Sequence, residues 1–183
     1  MLPPESRLEV RTRLPAKPNA KPPLLFVHGG YCDAWCWEPY FLPYFAAQGY
    51  AAHALSLRGH GASGGREALF VTGLDDYVAD VEQVAGSLPS PPVLIGHSMG
   101  AAALLLAELA RPGTFDEIWC YDPVVRPTPR AVDADENPLS EGARRRREVF
   151  PSRQAAYDNF AAKAPLDRAT PEALWAYVQW GFE

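Results

Sequence analysis

Four residues with side chains capable of chemistry stand where a short apolar run gives way to a glycine-rich or polar one: His28, Arg58, Ser98 and Asp122. Ser98 has the most telling surroundings. It lies in Val93-Leu94-Ile95-Gly96-His97-Ser98-Met99-Gly100-Ala101-Ala102-Ala103-Leu104, with a glycine two residues away on either side. The apolar run ending at Ile95 reads as a strand, and the small-residue run from Met99 reads as a helix. A strand that turns at once into a helix brings the backbone so close to itself at the two flanking positions that side chains are barely tolerated. The serine at the apex is pushed out of the sheet, with its hydroxyl over the start of the helix. Unpaired backbone N–H groups and the helix dipole there favour the negative charge that attack on a carbonyl generates. The chemistry of such a site is nucleophilic catalysis through serine.

A serine nucleophile needs a base. The chain has four histidines, His28, His53, His60 and His97, and none follows Ser98. His28 opens a glycine loop with Gly29 and Gly30. His97 neighbours the serine on a turn that aims its ring away, which suits packing or loop hydrogen bonding. His53 stands mid-strand among alanines and reads as a core or near-surface residue. His60 lies in Arg58-Gly59-His60-Gly61-Ala62-Ser63-Gly64-Gly65, a loop at the catalytic end of the sheet, and is the candidate substitute base. Asp122 is the candidate acid that would orient a histidine; the alternative is an Asp-Pro turn that caps the next segment. Cys32 and Cys36 stand four residues apart near His28. A structural zinc needs four ligands and no fourth is apparent, so neither a metal nor a cofactor is expected. Arg144 to Arg147 reads as a solvated helix face, with a contact to an acidic substrate group as the alternative. Trp175, Tyr177, Trp180 and Phe182 fit either an acyl pocket or a packing face.

The elements that must position these residues alternate. Leu8 to Arg13 alternates apolar and charged residues, as a strand with one solvated face does. Leu24 to Val27 reads as a buried strand. The pattern predicts a helix over about Ala34 to Gln48, capped by Asp33 and closed by Gly49, with Trp37, Tyr40, Phe41, Tyr44 and Phe45 at spacings of three and four. A strand over Tyr50 to Leu57 and a helix over Asp75 to Leu88 follow, the helix with Val78, Val81, Val84, Ala85 and Leu88 on one face. After the Ser98 turn and its helix, Ile118 to Tyr121 is a further strand. Alternation of this kind argues for a mostly parallel sheet with helices on both faces, and for functional residues at the carboxyl ends of its strands. Beyond Asp122 the period breaks. A polar linker from Pro127 leads to three helical pieces, over about Glu141 to Phe150, Ser152 to Lys163 and Thr170 to Trp180, the last with Pro171 at its first helical position.

Composition bounds the function. The 183 residues are 48% hydrophobic and 21% charged, ordinary globular material. A formal net charge of −5 argues against nucleic acid or an anionic membrane surface as partner. No apolar run approaches the roughly 18–20 residues that span a bilayer, and Met1 to Arg7 lacks the features of a signal peptide. Three cysteines give no disulfide framework, which suits a cytoplasmic setting.

Phe26-Val27-His28-Gly29-Gly30, Leu57-Arg58-Gly59-His60-Gly61-Ala62-Ser63 and Gly96-His97-Ser98-Met99-Gly100, in that order, resemble an α/β-hydrolase of the lysophospholipase and monoacylglycerol-lipase-like kind. The resemblance covers roughly residues 8 to 125. It implies a serine hydrolase acting on a carboxylic ester or related acyl bond, with Ser98 as nucleophile and the backbone N–H groups of Gly30 and Met99 as the oxyanion hole. It also implies a core over residues 1–126 and a helical cap over 127–183. In the family the histidine follows the last strand, and here no histidine follows His97. The expectation is therefore a chain short of the final strands of the core, catalytically complete only in a longer parent. Two alternatives stand beside it: a non-catalytic member that binds a ligand or associates with itself through an incomplete sheet, and a cofactor-free haloperoxidase or carbon–carbon bond hydrolase on the same fold.

Overall fold

The computed structural model describes residues 7–125, 145–147 and 149–182. The chain divides into two compact units, Met1–Val124 and Val125–Glu183.

The first unit is built on a five-stranded sheet in the order β1-β3-β2-β4-β5, with β1 Glu9–Arg13, β2 Leu24–Val27, β3 Ala52–Ser56, β4 Val93–His97 and β5 Glu117–Tyr121. β1 pairs antiparallel with β3, and all other pairings are parallel. The central strand β2 is buried along its whole length, because its side chains alternate into two separate cores. Leu24 and Phe26 point to one face with Ala34, Trp37, Leu42 and Ile95. Leu25 and Val27 point to the other with Leu55, Val81, Leu94 and Leu104. The chain leaves β2 for β3 on one side and returns to β4 on the other. The carboxyl ends of β2 and β4 therefore flank the point where strand order reverses, the usual place for a ligand crevice in such a sheet.

Helices cover both faces. α1 (Phe41–Ala47) lies on the Phe26 side, and α2 (Leu74–Ser87) and α3 (Met99–Ala110) lie on the Leu25 side. The single helix expected over Ala34 to Gln48 is instead two pieces, a 3-10 turn over Ala34–Trp37 and then α1. Pro39 accounts for the break, since it has no N–H to continue the helical hydrogen-bond run, and the backbone leaves helical geometry just after it, at Tyr40 with φ −126°. Pro43 is tolerated inside α1 because first-turn N–H groups have no intrahelical acceptor. Asp33 still caps, its carboxylate accepting the Trp35 N–H at 2.8 Å, but it caps the shorter turn. The break leaves Tyr40 and Tyr44 exposed, while Trp37, Phe41 and Phe45 gather around Phe26 at ring separations of 5.1, 6.1 and 5.6 Å.

In the second unit, α4 (Arg153–Ala161) and α5 (Pro171–Gly181) start where the sequence places them. The Ser152 hydroxyl accepts the Ala155 N–H at 3.1 Å, and Thr170 accepts that of Ala173 at 3.3 Å. Ala156, Phe160, Leu174 and Val178 form their shared core, with Tyr177 and Phe182 packed against it. Trp175 and Trp180 remain exposed. The helix expected over Glu141 to Phe150 is absent at Arg145–Arg147, Val149 and Phe150, and the rest of it, with Arg144, lies outside the described residues. These arginines do not form a helix face, although Arg145 and Arg147 are exposed. Arg146 lies over the Phe160 ring at 5.5 Å and donates to the Tyr177 hydroxyl, and Arg147 lies over Phe150 at 4.9 Å, as guanidinium groups do on aromatic faces.

Candidate active site

Ser98 joins β4 to α3 with φ +51° and ψ −117°, a conformation that L residues avoid. The two glycines explain how the turn closes. A Cβ on Gly96 would stand 2.7 Å from the Ala101 Cα, and one on Gly100 would fall on the His28 carbonyl oxygen. Backbone hydrogen bonds hold the strain. The Ser98 N–H donates to the Tyr121 carbonyl at 2.9 Å, and the Ser98 carbonyl accepts the Ala102 N–H at 3.1 Å. A serine at a helix N-cap ordinarily spends its hydroxyl on the first free N–H groups. Ser98 makes no such cap bond, which leaves its oxygen for other chemistry.

The loop after β2 presses on this turn. Gly29 is buried so tightly that a Cβ there would lie 2.9 Å from the Ser98 Cβ and 2.8 Å from His97 Nδ1. Gly30, in contrast, has open space in front of it and is exposed. The N–H of Met99, at the first position of α3, has no intrahelical acceptor. The peptides expected to form the oxyanion hole thus lie on adjoining loops at the ends of adjacent parallel strands.

The candidate partners are distributed unevenly. Asp122 ends β5 with φ +45° and is exposed, one residue beyond the carbonyl that takes the Ser98 N–H. His53 is on β3, bonded to Thr12 Oγ1 at 2.9 Å, with burial lowering its pKa. His97 is exposed and lies against Gly29, consistent with a packing role. His60 bonds through Nδ1 to the Arg58 carbonyl at 3.0 Å, and its ring stands 4.9 Å from that of His28 and 6.1 Å from that of Tyr77. His28 is fully buried, and its two ring nitrogens contact the Gly29 carbonyl and the Leu57 N–H. Burial pushes its pKa down to about 3, against a smaller upward pull from the Gly29 carbonyl, so it is neutral and committed. Among the described residues no group of three or more His, Cys, Asp or Glu is placed to hold a metal ion. The hydrogen bond with Cys32 and burial together raise the Cys36 thiol well above its usual range.

Arg58 does not face the site. Its Nε and its terminal nitrogen donate to Asp80 Oδ1 at 2.9 and 2.6 Å, and its own N–H donates to Asp80 Oδ2 at 2.8 Å. Asp80 is 0% exposed and Arg58 5%, so this is a buried ion pair that anchors the loop to α2, extended to Asp76 at 3.0 Å. Asp80 was hidden in the sequence because an acidic residue between valines on a helix reads as solvent-facing. Glu9 was hidden likewise. Its carboxylate, expected on the solvated face of β1, accepts the Ser56 hydroxyl at 2.7 Å and the Ala62 N–H at 3.0 Å. Four glycines in one loop were the available signal that something would be packed against its backbone.

Comparison with known proteins bears on the family and the fold. The sequence profile described as "Alpha/beta hydrolase family" matches residues 24–182. The chain is 28% identical over 137 residues to a pyrethroid hydrolase of Sphingobium wenxiniae, a match covering 65% of this chain and 48% of that protein. It is 34% identical over 85 residues to methylesterase 2 of Arabidopsis thaliana, covering 45% of this chain and 32% of the relative. A thioesterase domain from the curacin biosynthetic pathway superposes with a TM-score of 0.69 at 25% identity, covering 95% of this chain and 63% of that domain. These matches thus span less than half the length of either curated relative. No helix among the described residues is long and apolar enough to cross a membrane. With the profile matched over most of its length, the chain belongs to the α/β-hydrolase family.

Proposed function

We propose that this chain carries the nucleophile half of a serine hydrolase that cleaves carboxylic ester or related acyl bonds. The observation that carries the reading is Ser98 itself, held at φ +51° between two glycines with its hydroxyl unspent on capping. Backbone strain of this kind costs on the order of 1–3 kcal/mol, and a serine needed only for a tight turn would be better replaced by glycine. Its oxygen attacks the acyl carbon, and the N–H groups of Gly30 and Met99 receive the charge that develops on the carbonyl oxygen. The esterase, pyrethroid hydrolase and thioesterase names of the relatives favour acyl substrates.

The general base comes from outside this chain's histidines. His28 is locked by two backbone contacts, His53 is bound to Thr12, His97 lies against Gly29, and no contact of His60 reaches the serine. A histidine in a longer parent chain would supply the base, with Asp122 or a later carboxylate orienting it. The helical unit from Val125 onward would serve that parent as a cap.

Self-association is the second reading, and one surface favours it. Among the described residues β5 pairs only with β4, and it exposes Trp119 and Tyr121 beside an apolar groove of about 350 Å³ lined by Phe26, Phe41, Phe45 and Ile95. Intact mass of the natively produced protein tests whether translation continues beyond Glu183. Labelling by an alkyl fluorophosphonate, lost in Ser98→Ala, tests the nucleophile. A mass ending at Glu183, together with no labelling and no p-nitrophenyl ester hydrolysis, removes the catalytic reading.

A further inference from the structure

We propose that His28 is a positioning residue that aims the Gly30 N–H into the oxyanion hole; the proposal rests on the reading of Ser98 as nucleophile. The argument uses the two contacts of the ring and the planarity of one peptide. A carbonyl oxygen can only accept, so the 2.7 Å contact between Nδ1 and the Gly29 carbonyl requires the hydrogen on Nδ1. A backbone N–H can only donate, so the 3.0 Å contact from the Leu57 N–H to Nε2 requires a bare lone pair there. Both neighbours demand the same neutral tautomer, with the proton on Nδ1.

The Gly29 carbonyl and the Gly30 N–H belong to one peptide unit. In a trans peptide these two groups point in opposite directions. Holding the carbonyl toward the buried imidazole therefore turns the Gly30 N–H the other way. The backbone preference of two glycines does not by itself fix how this peptide is turned, since glycine adopts either sign of φ with ease. Gly29, at one end of that peptide, sits against the Ser98 Cβ, and Gly30, at the other, is exposed with no atom where a Cβ would stand, so the peptide borders the serine at an uncrowded part of the loop. A donor already aimed costs no reorganisation when charge develops.

Protonation of His28 would break the arrangement, because an Nε2 hydrogen would confront the Leu57 N–H. The surroundings oppose that proton. The ring is fully buried, and the charged forms of His60, across the ring contact, and of His97, beyond Gly29, would disfavour it further, while Glu9 pulls the other way.

The test combines one spectroscopic and one chemical readout on the natively produced protein. Nitrogen-15 NMR of labelled histidine reads the tautomer, and the expected result is a neutral ring protonated at Nδ1 and flat from pH 5 to 9. His28→Asn keeps an N–H near the Nδ1 position, and His28→Leu removes it. The Gly30 amide resonance should move in His28→Leu and return toward its original position in His28→Asn. Fluorophosphonate labelling of Ser98 should slow by roughly 10²-fold in the leucine variant, in line with loss of one oxyanion donor, and recover at least tenfold in the asparagine variant. A proton on Nε2, titration of His28 within that pH range, or a leucine variant with an unmoved Gly30 amide would overturn the proposal. If Ser98 of the unmodified protein does not label at all, the nucleophile reading fails instead, and the tautomer and Gly30 amide still decide whether His28 orients the loop.

Discussion

Two strand ends on either side of β2, about 10 Å of sheet apart, solve opposite problems. At the end of β4 the chain reverses within one residue, leaving Ser98 strained and its hydroxyl free of any cap bond. At the end of β3 it wanders through Arg58 to Gly65, and nearly every polar group it brings inside finds a partner: Arg58 with Asp80, Ser63 with Ser56 and Glu9, and His60 with the Arg58 carbonyl. One end accepts strain to present an oxygen; the other is satisfied so that it stays still. A protein that kept only the second device would be more stable and would have nothing to react with.

That contrast can be broken at several points. The largest effect is expected at the buried pair. Asp80→Ala leaves the buried Arg58 guanidinium with only the partly exposed Asp76 as a partner and should cost about 3 kcal/mol in chemical denaturation. Next is Gly100→Ala, whose added carbon meets the backbone of β2 and should cost roughly 1–3 kcal/mol, whereas Gly30→Ala, facing open space, should stay within about 0.5 kcal/mol. The pair of glycine variants separates a packing requirement from a mere preference for small residues.

Protons give a third point. The His28 pKa is depressed to about 3 in the folded chain, against roughly 6.5 unfolded. The unfolded chain takes up a proton below about pH 6.5 that the folded chain refuses, so this contribution is complete above pH 6.5 and is lost as pH falls toward 3. Between pH 7 and pH 5 the loss should be about 1–2 kcal/mol, and His28→Asn should remove that slope in urea titrations at a series of pH values. The smallest effect is expected at the strained serine. Ser98→Gly relieves a positive φ but gives the unfolded chain more freedom, so thermal stability should hold or rise by up to about 1 kcal/mol while labelling disappears.

Much of this was legible in the residue order. The Gly96-x-Ser98-x-Gly100 pattern, read with its flanking runs, located the turn correctly, since each glycine answers a specific close approach of backbone. The five strands and the helix starts near Ser152 and Thr170 were legible because they depend on local pattern alone. Asp80, Glu9 and the tautomer of His28 were not. Each is decided by what another segment brings against it, at separations of 22, 53 and 29 residues. The unbroken helix from Ala34 failed for a local reason, Pro39, that the spacing of the aromatic residues had masked.

The central claim is that Ser98 is a nucleophile held ready by the turn. Its most direct test is reaction of the natively produced protein with an alkyl fluorophosphonate, followed by peptide mass mapping. The account predicts a single adduct on the peptide carrying Gly96 to Gly100, located on Ser98 and absent from Ser98→Ala. An unlabelled Ser98, or an adduct that persists elsewhere in Ser98→Ala, would contradict it.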